Sequence, residues 1–307
     1  MTFWGKQKMN SLEKLQRDID SISNSSVKEI ETEIIRYLDR TGVFYKTFMR
    51  VKKSASIHEK LVKKTKEKGV DYKMQDLIGV RIVLYFKEDI VLCEKIINEQ
   101  FKVIDVAKNI ELPDRFCPMR NNIVCRLPDA VIKNLDPIIW NYPIDQTFEI
   151  QLRTVFSEGW HEVEHDFRYK CKNSWENMDN LGRTLNGIIA TLDNCDWAME
   201  SLLDEKAYCH YKNKEWEDMI RNKLRIRLKN NFLNKEIVDC FTNHPVIAKE
   251  FFRANRIDFL LKMTDVSTPI PLTLDNVIYL LNEFQIHNDI VGTLTPDIIK
   301  EKVKNVL

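Results

Sequence analysis

The chain has 307 residues, of which 44% are hydrophobic and 30% are charged, and its formal net charge is +1. These values predict a globular protein of one large or two ordinary domains with a substantial core. They exclude a general electrostatic attraction to nucleic acid or membrane. No apolar run is long enough for a membrane span, and the first ten residues lack the apolar centre of a signal peptide, so we expect a cytoplasmic protein.

Seven cysteines are scattered along the chain, and none of them forms a Cys-x-x-Cys pair. An odd and dispersed set predicts neither a disulfide framework nor a structural zinc cluster. We expect these residues to be small buried hydrophobic side chains. They are Cys93, Cys117, Cys125, Cys171, Cys195, Cys209 and Cys240.

Residues 10–41 have helical periodicity with a serine-rich interruption at residues 23–26. The sequence therefore predicts two helices at the beginning of the chain. Gly42 is predicted to end the second one, because glycine readily adopts the left-handed conformation that follows a helix.

The segment from 43 to 68 is strongly basic, with nine Lys and Arg side chains against two Glu side chains. One interpretation is a solvated helix face, in which Ser56 and Glu59 form an ordinary capping box. The other is a site for a polyphosphate. The eight glycines are too dispersed for a glycine-rich phosphate loop, so a nucleotide site in this chain would depend on Lys and Arg.

Residues 76–86 form a nearly continuous apolar run, which predicts a central strand covered on both faces. Arg81 lies inside this run, and a buried guanidinium needs an anionic partner. Asp76 stands at its start. Both residues are candidates for a functional site; the alternative is that Asp76 is a turn residue and Arg81 belongs to a structural ion pair.

A helix is predicted at 88–100, followed by strands at 101–107, 122–127 and 147–154. In the last strand, alternate residues are apolar, namely Phe148, Ile150 and Leu152. The other face carries a carboxylate, an amide and a guanidinium, namely Glu149, Gln151 and Arg153. After Thr154 the period becomes helical, with a predicted buried stripe of Trp160, Val163, Phe167 and Cys171. The pattern predicts polar chemistry anchored on a core.

Three spaced motifs resemble those of the RelA/SpoT-type alarmone synthetases, a family that includes small alarmone synthetases and their toxic relatives. The first is Arg50-Val51-Lys52 followed by Ser56-Ile57-x-x-Lys60. The second is Asp76-x-x-Gly79-x-Arg81. The third is Glu149-x-Gln151-x-Arg153-Thr154, followed by Trp160, Glu164-His165 and Tyr169-Lys170. The resemblance covers about residues 30–205.

This resemblance implies a fold of the α+β class. The expected architecture is a nucleotidyltransferase-like mixed sheet of about four to five strands flanked by helices, followed by a smaller all-helical domain. Residues 1–212 would form the synthetase-like domain with its N-terminal helices. Residues 213–307 would form a helical domain of regulatory or interaction type.

The resemblance also implies a reaction, the transfer of the β,γ-pyrophosphate of the donor ATP to the 3′-hydroxyl of GDP or GTP, with Mg²⁺. In the implied donor site, Arg50 stacks on adenine and Arg81 contacts the nucleotide. The donor phosphates are held by Lys52, Ser56 and Lys60. Asp76 and Glu149 bind magnesium, and Glu149 activates or orients the acceptor hydroxyl. Further support for the acceptor or for the site comes from Gln151, Arg153, Arg120 and His165.

One family motif is replaced in this chain. Family members carry Gly-Tyr-Arg-Ser-x-His before the third strand, where this chain has residues 116–122. Asn122 takes the place of the histidine and Pro118 that of the tyrosine, while Phe116 offers a substitute stacking face. The acceptor therefore stays open between GDP or GTP, an adenine nucleotide and a tRNA, as in a translation toxin. A nucleotide-binding module without catalysis is a further alternative.

A rival motif lies in the same region. Residues 161–165 fit His-Glu-x-x-His, which on a helix can present two zinc ligands and a general base, as in a metalloprotease. No third ligand is evident in the sequence, and a protease would leave the basic segment unexplained. The family resemblance is therefore the favoured interpretation, with His161 at the surface.

Residues 174–212 are predicted to be helical, with core spacing of Leu181, Leu185, Ile188, Ile189, Leu192, Trp197 and Leu202. Residues 214–232 then predict one basic amphipathic helix with a stripe of Trp216, Met219, Ile220, Leu224, Leu228 and Phe232. Shorter helices start near Pro245, Thr273 and Thr295-Pro296. Their predicted core is Phe251, Phe252, Phe259 and Phe284. This module is predicted to sense or dock a protein partner or to mediate self-association; the basic helix contacts RNA or is simply solvated.

Overall fold

The computed structural model describes residues 14, 17–18, 27–68, 72–108, 121–304 and 306. Most of the first predicted helix lies outside these residues, as do Arg120, Phe116, Pro118 and Cys117. The expectations for these positions stay predictions.

The first long described segment begins with helix α1 (27–41), which Gly42 ends with a φ of +71°. A Cβ atom on Gly42 would lie 2.5 Å from Leu272 Cδ1, so glycine is required both by the backbone and by the packing. Helix α2 (Ser54–Lys68) begins two residues before Ser56. The predicted capping box from Ser56 to Glu59 is therefore wrong, because Ser56 lies within the helix.

Five strands and two further helices complete the α+β region. The strands are β1 (Tyr45–Val51), β2 (Ile78–Leu84), β3 (Val103–Lys108), β4 (Asn121–Arg126) and β5 (Thr147–Thr154). The helices are α3 (Glu88–Gln100) and α4 (Asp129–Asn141). Strand β1 and helix α4 were not predicted. β1 alternates between half-exposed and exposed residues, as an edge strand with charged side chains does.

The strands form one sheet in the order β1-β2-β5-β4-β3. β4 is antiparallel to both β3 and β5. β1 and β2 are also antiparallel, because Lys52 N donates to Leu77 O and Tyr85 N donates to Phe44 O. A parallel bridge between Met74 and Ile144 precedes β2 and β5. The predicted mixed sheet flanked by helices is confirmed, and its two motif-bearing strands are neighbours.

The two central strands each have one core face and one polar face. Phe148 and Ile150 of β5 are fully buried and Leu152 is 2% exposed. On β2, Gly79 and Arg81 are half-buried, whereas the remaining residues are buried. The prediction that β2 is covered on both faces is therefore wrong at these two positions. The half-buried positions leave a polar face open where the motifs predicted a site.

Helix α5 (Val155–Glu164) starts at a capping box, in which Thr154 accepts from Ser157 N and Ser157 Oγ accepts from Thr154 N. The predicted apolar stripe is correct only at Trp160, which is 5% exposed. Val163, Phe167 and Cys171 are exposed. The α-helical period ends at Glu164 and gives way to a π-helical turn (His165–Tyr169), which changes the face that each later residue occupies. A 3₁₀ turn (Lys172–Trp175) follows.

Helix α6 (Asp179–Asn213) is 35 residues long. Of its predicted core residues, Ile189 is buried and Leu185 and Leu192 are half-buried. The prediction is wrong for four others, which are exposed, namely Leu181, Ile188, Trp197 and Leu202. Cys195 and Cys209 of this helix are exposed as well, while Cys93, Cys125 and Cys240 are buried as predicted.

The remainder is all-helical, as predicted. Its helices are α7 (Trp216–Leu224), α8 (Lys235–Asn243), α9 (Pro245–Arg253), α10 (Arg256–Asp265), α11 (Leu274–Leu281), α12 (Asp289–Leu294) and α13 (Asp297–Val303), with a π-helical turn at Asn282–Ile286. Phe251, Phe259 and Phe284 are buried, while Phe252 is half-buried. Pro245 begins α9 and Thr273 caps α11 as predicted. Near Thr295 the prediction is one residue off, since Pro296 is the cap of α13.

The predicted long basic helix is wrong after Leu224. Arg225 has a φ of +50° and ends α7, and Phe232 is 67% exposed. The guanidinium of Arg225 forms ion pairs with Glu88 and Asp204, so it does not contribute to a basic surface. Within the described chain, residues 225–232 therefore do not continue α7 as a basic helix that could contact RNA.

Buried ion pairs join these helices to the start of α3. Arg256 Nη1 lies 2.6 Å from Asp89 Oδ1 and 2.8 Å from Glu88 Oε1, and Asp89 is fully buried. Removing one partner of such a pair typically costs about 3–5 kcal/mol, because it leaves the other charge buried and uncompensated. These pairs fix the turn that follows β2.

The chain divides into two compact units. The first comprises 1–35, 46–83 and 97–153, and the second 36–45, 84–96 and 154–307. The predicted boundary after residue 212 lies inside the second unit, and the independent folding of residues 213–307 stays a prediction. Within the described chain, no helix combines the length and the apolar composition needed to cross a bilayer.

A buried carboxylate on α6 holds the end of β5. Thr154 Oγ1 donates a 2.7 Å hydrogen bond to Asp196, which is 4% exposed. Burial raises the pKa of Asp196 to about 6, the nearby Asp193 and Glu200 add to this effect, and the hydrogen bond from Thr154 opposes it. The folded state therefore binds the Asp196 proton more tightly than the unfolded chain does.

We expect the Asp196→Asn variant to lose part of the pH dependence of unfolding. The raised pKa stabilises the fold fully below the ordinary pKa of aspartate, and this stabilisation is lost as the pH rises through about 6. The loss is at most about 3 kcal/mol. Urea denaturation at pH 4 and pH 7 should give a smaller difference for the variant than for the wild type. Glu205→Gln, an exposed change on the same helix, is the control and should leave the wild-type difference intact.

Candidate functional site

Polar side chains from three strands share one face of the sheet. Glu149, Gln151 and Arg153 alternate along β5, and Asn122 of β4 lies directly opposite Gln151. On the other side, Arg81 of β2 directs its Nε toward Gln151 Oε1 at 3.4 Å. The structure therefore brings together the predicted residues Arg81, Glu149, Gln151 and Arg153.

Asn122 links the carboxylate and the guanidinium of this face. Its Nδ2 donates to Glu149 Oε1 at 2.5 Å, and its Oδ1 lies 3.4 Å from Arg153 Nη2. Arg153 is 7% exposed, and its Nη1 donates to Leu152 O. The sequence placed Asn122 only as a replacement for a histidine and missed its contact with Glu149. The antiparallel register of β4 and β5 creates that contact, because diagonal neighbours on one face can reach each other.

A second group surrounds Asp76, two residues before β2. Lys52 Nζ and Lys60 Nζ lie 2.6 Å and 2.5 Å from the same atom, Asp76 Oδ2. Lys52 directly follows β1, and its backbone N donates to Leu77 O. Lys60 comes from α2. Three separate segments therefore converge on one carboxylate.

The electrostatics of this group favour a bound anion. Burial alone would raise the pKa of Asp76, but the hydrogen bonds and charges of Lys52 and Lys60 outweigh it and hold that pKa below its ordinary value. Burial lowers the pKa of Lys52, and the neighbouring cations Lys60 and Arg50 lower it further against the opposing effect of Asp76. One carboxylate thus faces more positive charge than it neutralises, and a phosphate would balance the excess.

Asp76 also has the chemistry of a magnesium ligand. Its Oδ1 is buried and has no hydrogen-bond partner among the described residues. Carboxylate oxygen is the ligand type that Mg²⁺ prefers, and one or two carboxylates with substrate phosphates are its usual protein site. The described part of the chain holds no group of three or more His, Cys, Asp or Glu side chains placed for a metal. Asp76 fits a magnesium ion that is shared with a phosphate substrate.

The remaining predicted residues occupy different surroundings. Arg50 is exposed, and a Cβ atom on Gly79 would lie 3.9 Å from Arg50 Cγ, so the Arg50 side chain runs beside this glycine. Ser56 is exposed on α2. His165 belongs to the second unit, where its Nδ1 lies 2.9 Å from Asp166 Oδ1. The roles of these residues stay predictions, as does the convergence of Asp76 and Glu149 on one ion.

The structure gives little support to the zinc-protease alternative. The α-helix that would present both histidines ends at Glu164, between His161 and His165. The ring of His165 stacks on Tyr169, with centroids 5.7 Å apart, and its Nδ1 contacts Asp166. His165 therefore contacts residues of its own π-helical turn.

We expect the lysine pair to bind inorganic tripolyphosphate in a pH-dependent manner. Only protonated lysine attracts the anion. Because the pKa of Lys52 is lowered, Lys52 loses its proton at a lower pH than an ordinary lysine does, and binding should weaken at that lower pH. Isothermal titration calorimetry from neutral to alkaline pH would measure this loss. Lys52→Gln should weaken binding about tenfold or more. Lys63→Gln, an exposed change on α2, is the matched control, and equal weakening there would contradict the assignment.

Comparisons with known proteins agree with the position of these groups. Residues 49–174 match the family model described as "Region found in RelA / SpoT proteins". The curated GTP pyrophosphokinase YwaC of Bacillus subtilis (strain 168) is 26% identical over 132 residues, which are 41% of this chain and 59% of that relative. The chain therefore spans less than two thirds of the curated relative that it matches.

Two solved structures from Bacillus subtilis are similar over a longer part of the chain. Small alarmone synthetase 1 is 21% identical with a TM-score of 0.48, covering 62% of this chain and 96% of that chain. Small alarmone synthetase 2 is 22% identical with a TM-score of 0.46, covering 59% of this chain and 94% of that chain. The lysine group, the polar face of β2 and β5, and helix α5 all lie within residues 49–174, the part of this chain that matches the family model.

Proposed function

We propose that this protein is an ATP-dependent nucleotide 3′-pyrophosphokinase. It would transfer the β,γ-pyrophosphate of ATP to the 3′-hydroxyl of GDP or GTP and so produce (p)ppGpp. The observation that carries the proposal is the pair of lysines on Asp76 Oδ2, with the other carboxylate oxygen left open. The family match and the GTP pyrophosphokinase relative support the same reaction.

The donor half of the site rests on positive charge. Lys52 and Lys60 would turn from Asp76 toward the β- and γ-phosphates of ATP, while Arg81 approaches from β2. Arg50 is exposed beside Gly79, where a guanidinium can stack on adenine. Ser56, exposed on α2, would add a hydroxyl to the phosphates. Phosphoryl transfer needs positioning and charge neutralisation more than covalent chemistry, which matches this set of side chains.

Asp76 would hold Mg²⁺ through Oδ1, and Glu149 is the second proposed ligand. When bound, the ion would neutralise charge on the donor phosphates and help to fix their geometry. Asp76 keeps its charge at neutral pH because the two lysines hold its pKa low. It is therefore ready to bind a cation without first losing a proton.

The acceptor half of the reaction centres on Glu149. The 3′-hydroxyl oxygen attacks the β-phosphorus, the new O–Pβ bond forms as the bond to the α-phosphate bridging oxygen breaks, and AMP leaves. Glu149 accepts the hydroxyl proton. The hydrogen bond from Asn122 fixes one Glu149 oxygen, and Gln151 and Arg153 on the same face orient the acceptor or the carboxylate.

A second acceptor class is favoured by one observation in the sequence. Residues 116–122 lack the family's His and also its Tyr, which would otherwise stack on guanine. A tRNA end or an adenine nucleotide is therefore the alternative acceptor, and Arg120 would contact a phosphate in each case. A module that binds nucleotides without catalysis is the remaining alternative.

One experiment separates these functions. The purified chain is incubated with ATP labelled at the γ-phosphate, with Mg²⁺, and with GDP, GTP, ATP or tRNA in turn. We expect the label on the guanine nucleotide. Label on tRNA or on an adenine nucleotide would replace the acceptor but keep the reaction, and no transfer to any of them would contradict the enzyme assignment.

We expect Glu149→Gln and Asp76→Asn to reduce transfer by about 100-fold to 10,000-fold, because each removes a charge needed in the transition state. Circular dichroism should show both variants folded, since both side chains are half-buried and not part of the apolar core. Asp129→Asn, an exposed change, is the control for loss of a carboxylate. Normal turnover in either site variant would contradict the proposed mechanism.

We expect Asn122→Leu to lower kcat about tenfold to 100-fold while leaving the KM for ATP near its wild-type value, because Asn122 positions Glu149 and contacts no donor group in this proposal. Asn122→His restores a donor and the residue that the family carries, so it should recover part of the rate. Steady-state kinetics with both variants measures kcat and the KM for ATP separately. A purely structural role for Asn122 would lower kcat and stability together, without rescue by histidine.

A further inference from the structure

Strand β3 contains a β-bulge that changes the face on which one carboxylate lies. Between the partners of Cys125 and Val124, the register of β3 moves by two residues instead of one, so Ile104 is extra. Asp105 is therefore the partner of Val124. Without the extra residue, Asp105 would pair one position further along β4 and would lie on the core face of the sheet. Bulges next to active sites commonly redirect a side chain in this way.

The bulge places Asp105 in the same row as Glu149. Val124 pairs with Asp105 on one side and with Glu149 on the other, and directly opposite residues of a ladder point to the same face. Two strand spacings put the backbones of Asp105 and Glu149 about 10 Å apart. This separation is comparable to the length of a nucleoside from its 3′-hydroxyl to the Watson–Crick edge of its base.

The strand order puts Asp105 on the side of Glu149 that faces away from the proposed donor site. Lys52 and Lys60, the proposed phosphate ligands, come from the end of β1 and from α2. The order β1-β2-β5-β4-β3 places β1 and β3 at opposite edges, with Glu149 on the middle strand. In-line transfer needs the acceptor opposite the leaving group of the donor. An acceptor that extends from Glu149 across β4 therefore reaches Asp105.

The surroundings of Asp105 leave its carboxylate open to a ligand. The side chain is exposed and forms no ion pair with a described residue. Its Oδ1 accepts a 2.9 Å hydrogen bond from Val106 N, which orients the carboxylate and uses one of its roughly four lone-pair sites. Ala107 lies opposite Asn122 on the same face and is exposed and small, so the sheet surface is accessible there. Val124, between the two carboxylates, has no polar side-chain atom to compete for the base.

We propose that Asp105 binds the Watson–Crick edge of the acceptor base and makes guanine the preferred base. The inference rests on the proposed function, because it takes Glu149 as the position of the acceptor hydroxyl. Guanine presents two adjacent donors on this edge, N1–H and the N2 amino group, which match the two oxygens of a carboxylate. Adenine presents the lone pair of N1 instead, which a carboxylate repels. The same repulsion disfavours the terminal adenosine of a tRNA.

The Asp105→Asn variant tests the proposal by a change of preferred base. Xanthine has a carbonyl oxygen where guanine has the N2 amino group, and an asparagine amide can accept from N1–H and donate to this oxygen. Transfer from γ-labelled ATP to GDP and to xanthosine diphosphate would be measured. We expect the variant to lower kcat/KM for GDP about tenfold to 100-fold and to prefer xanthosine diphosphate, with the KM for ATP near its wild-type value. Misfolding cannot produce such a gain.

Asp129→Asn, the same loss of charge from an exposed side chain on α4, is the matched control and should keep the wild-type preference for GDP. Binding of both diphosphates is also measured by calorimetry without transfer. For this measurement the donor site is filled with α,β-methylene-ATP, whose α–β bridge cannot be cleaved.

The two measurements separate the role of Asp105 from the proposed function. If Asp105→Asn keeps the wild-type preference for GDP in both, or if the control shifts equally, the role of Asp105 is overturned and the transfer reaction stands. A wild type that binds GDP with the expected preference but transfers nothing would contradict the proposed function and not the base preference. A wild type that does not bind GDP would overturn both.

Discussion

Two lysine ammonium groups share one carboxylate oxygen of Asp76, and the candidate site depends on this arrangement. The three side chains come from the end of β1, from α2 and from the segment before β2, so the contact ties the edge strand and its helix to a central strand. One negative charge cannot neutralise two lysines and the nearby Arg50, and burial makes the excess costly for Lys52. Binding of a polyphosphate would relieve that cost. The contact that organises the candidate site is therefore also the feature that favours a polyphosphate substrate.

The polar face of the sheet depends on a different constraint, which is strand pairing. β2 and β5 are neighbours, and the bridge that precedes them is parallel. The two strands therefore run in the same direction, and residues with the same sequence offset lie side by side. The hydrogen bond between Arg81 and Gln151 repeats the sequence offset of the Met74–Ile144 bridge. β4, which is antiparallel to β5, then brings Asn122 to Glu149. The apolar residues on the opposite face, fully buried at Phe148 and Ile150, keep this row rigid.

The sequence predicted the features that local periodicity determines. Helix α3 and the alternation of β5 were predicted at the correct residues, because each has a clear period and a clear start or end. β1 was missed because an edge strand has no buried run to reveal it, and here it lies in a basic segment. The helix after residue 214 was predicted too long because a buried ion pair with Glu88 and Asp204 holds Arg225 in a left-handed conformation, which no local pattern indicates. The contact of Asn122 with Glu149 depends on the register of β4 and β5, which are far apart in the sequence, so the sequence did not predict it either. Single-residue roles at Asp76 and Glu149 came from the family resemblance and not from periodicity.

Helix α6 shows most directly what a hydrophobic pattern does and does not specify. Its apolar residues were predicted to be core because their spacing is that of a buried stripe, yet the chain buries Ile189 and leaves Ile188 half exposed. Periodicity specifies that a face requires a partner, but it does not say whether the partner is in the same chain. The inner side of α6 is fixed by Asp196, which accepts the hydroxyl of Thr154 at the end of β5. Which side of α6 is buried therefore follows from a contact between parts of the chain that are distant in sequence, which the apolar period alone does not encode.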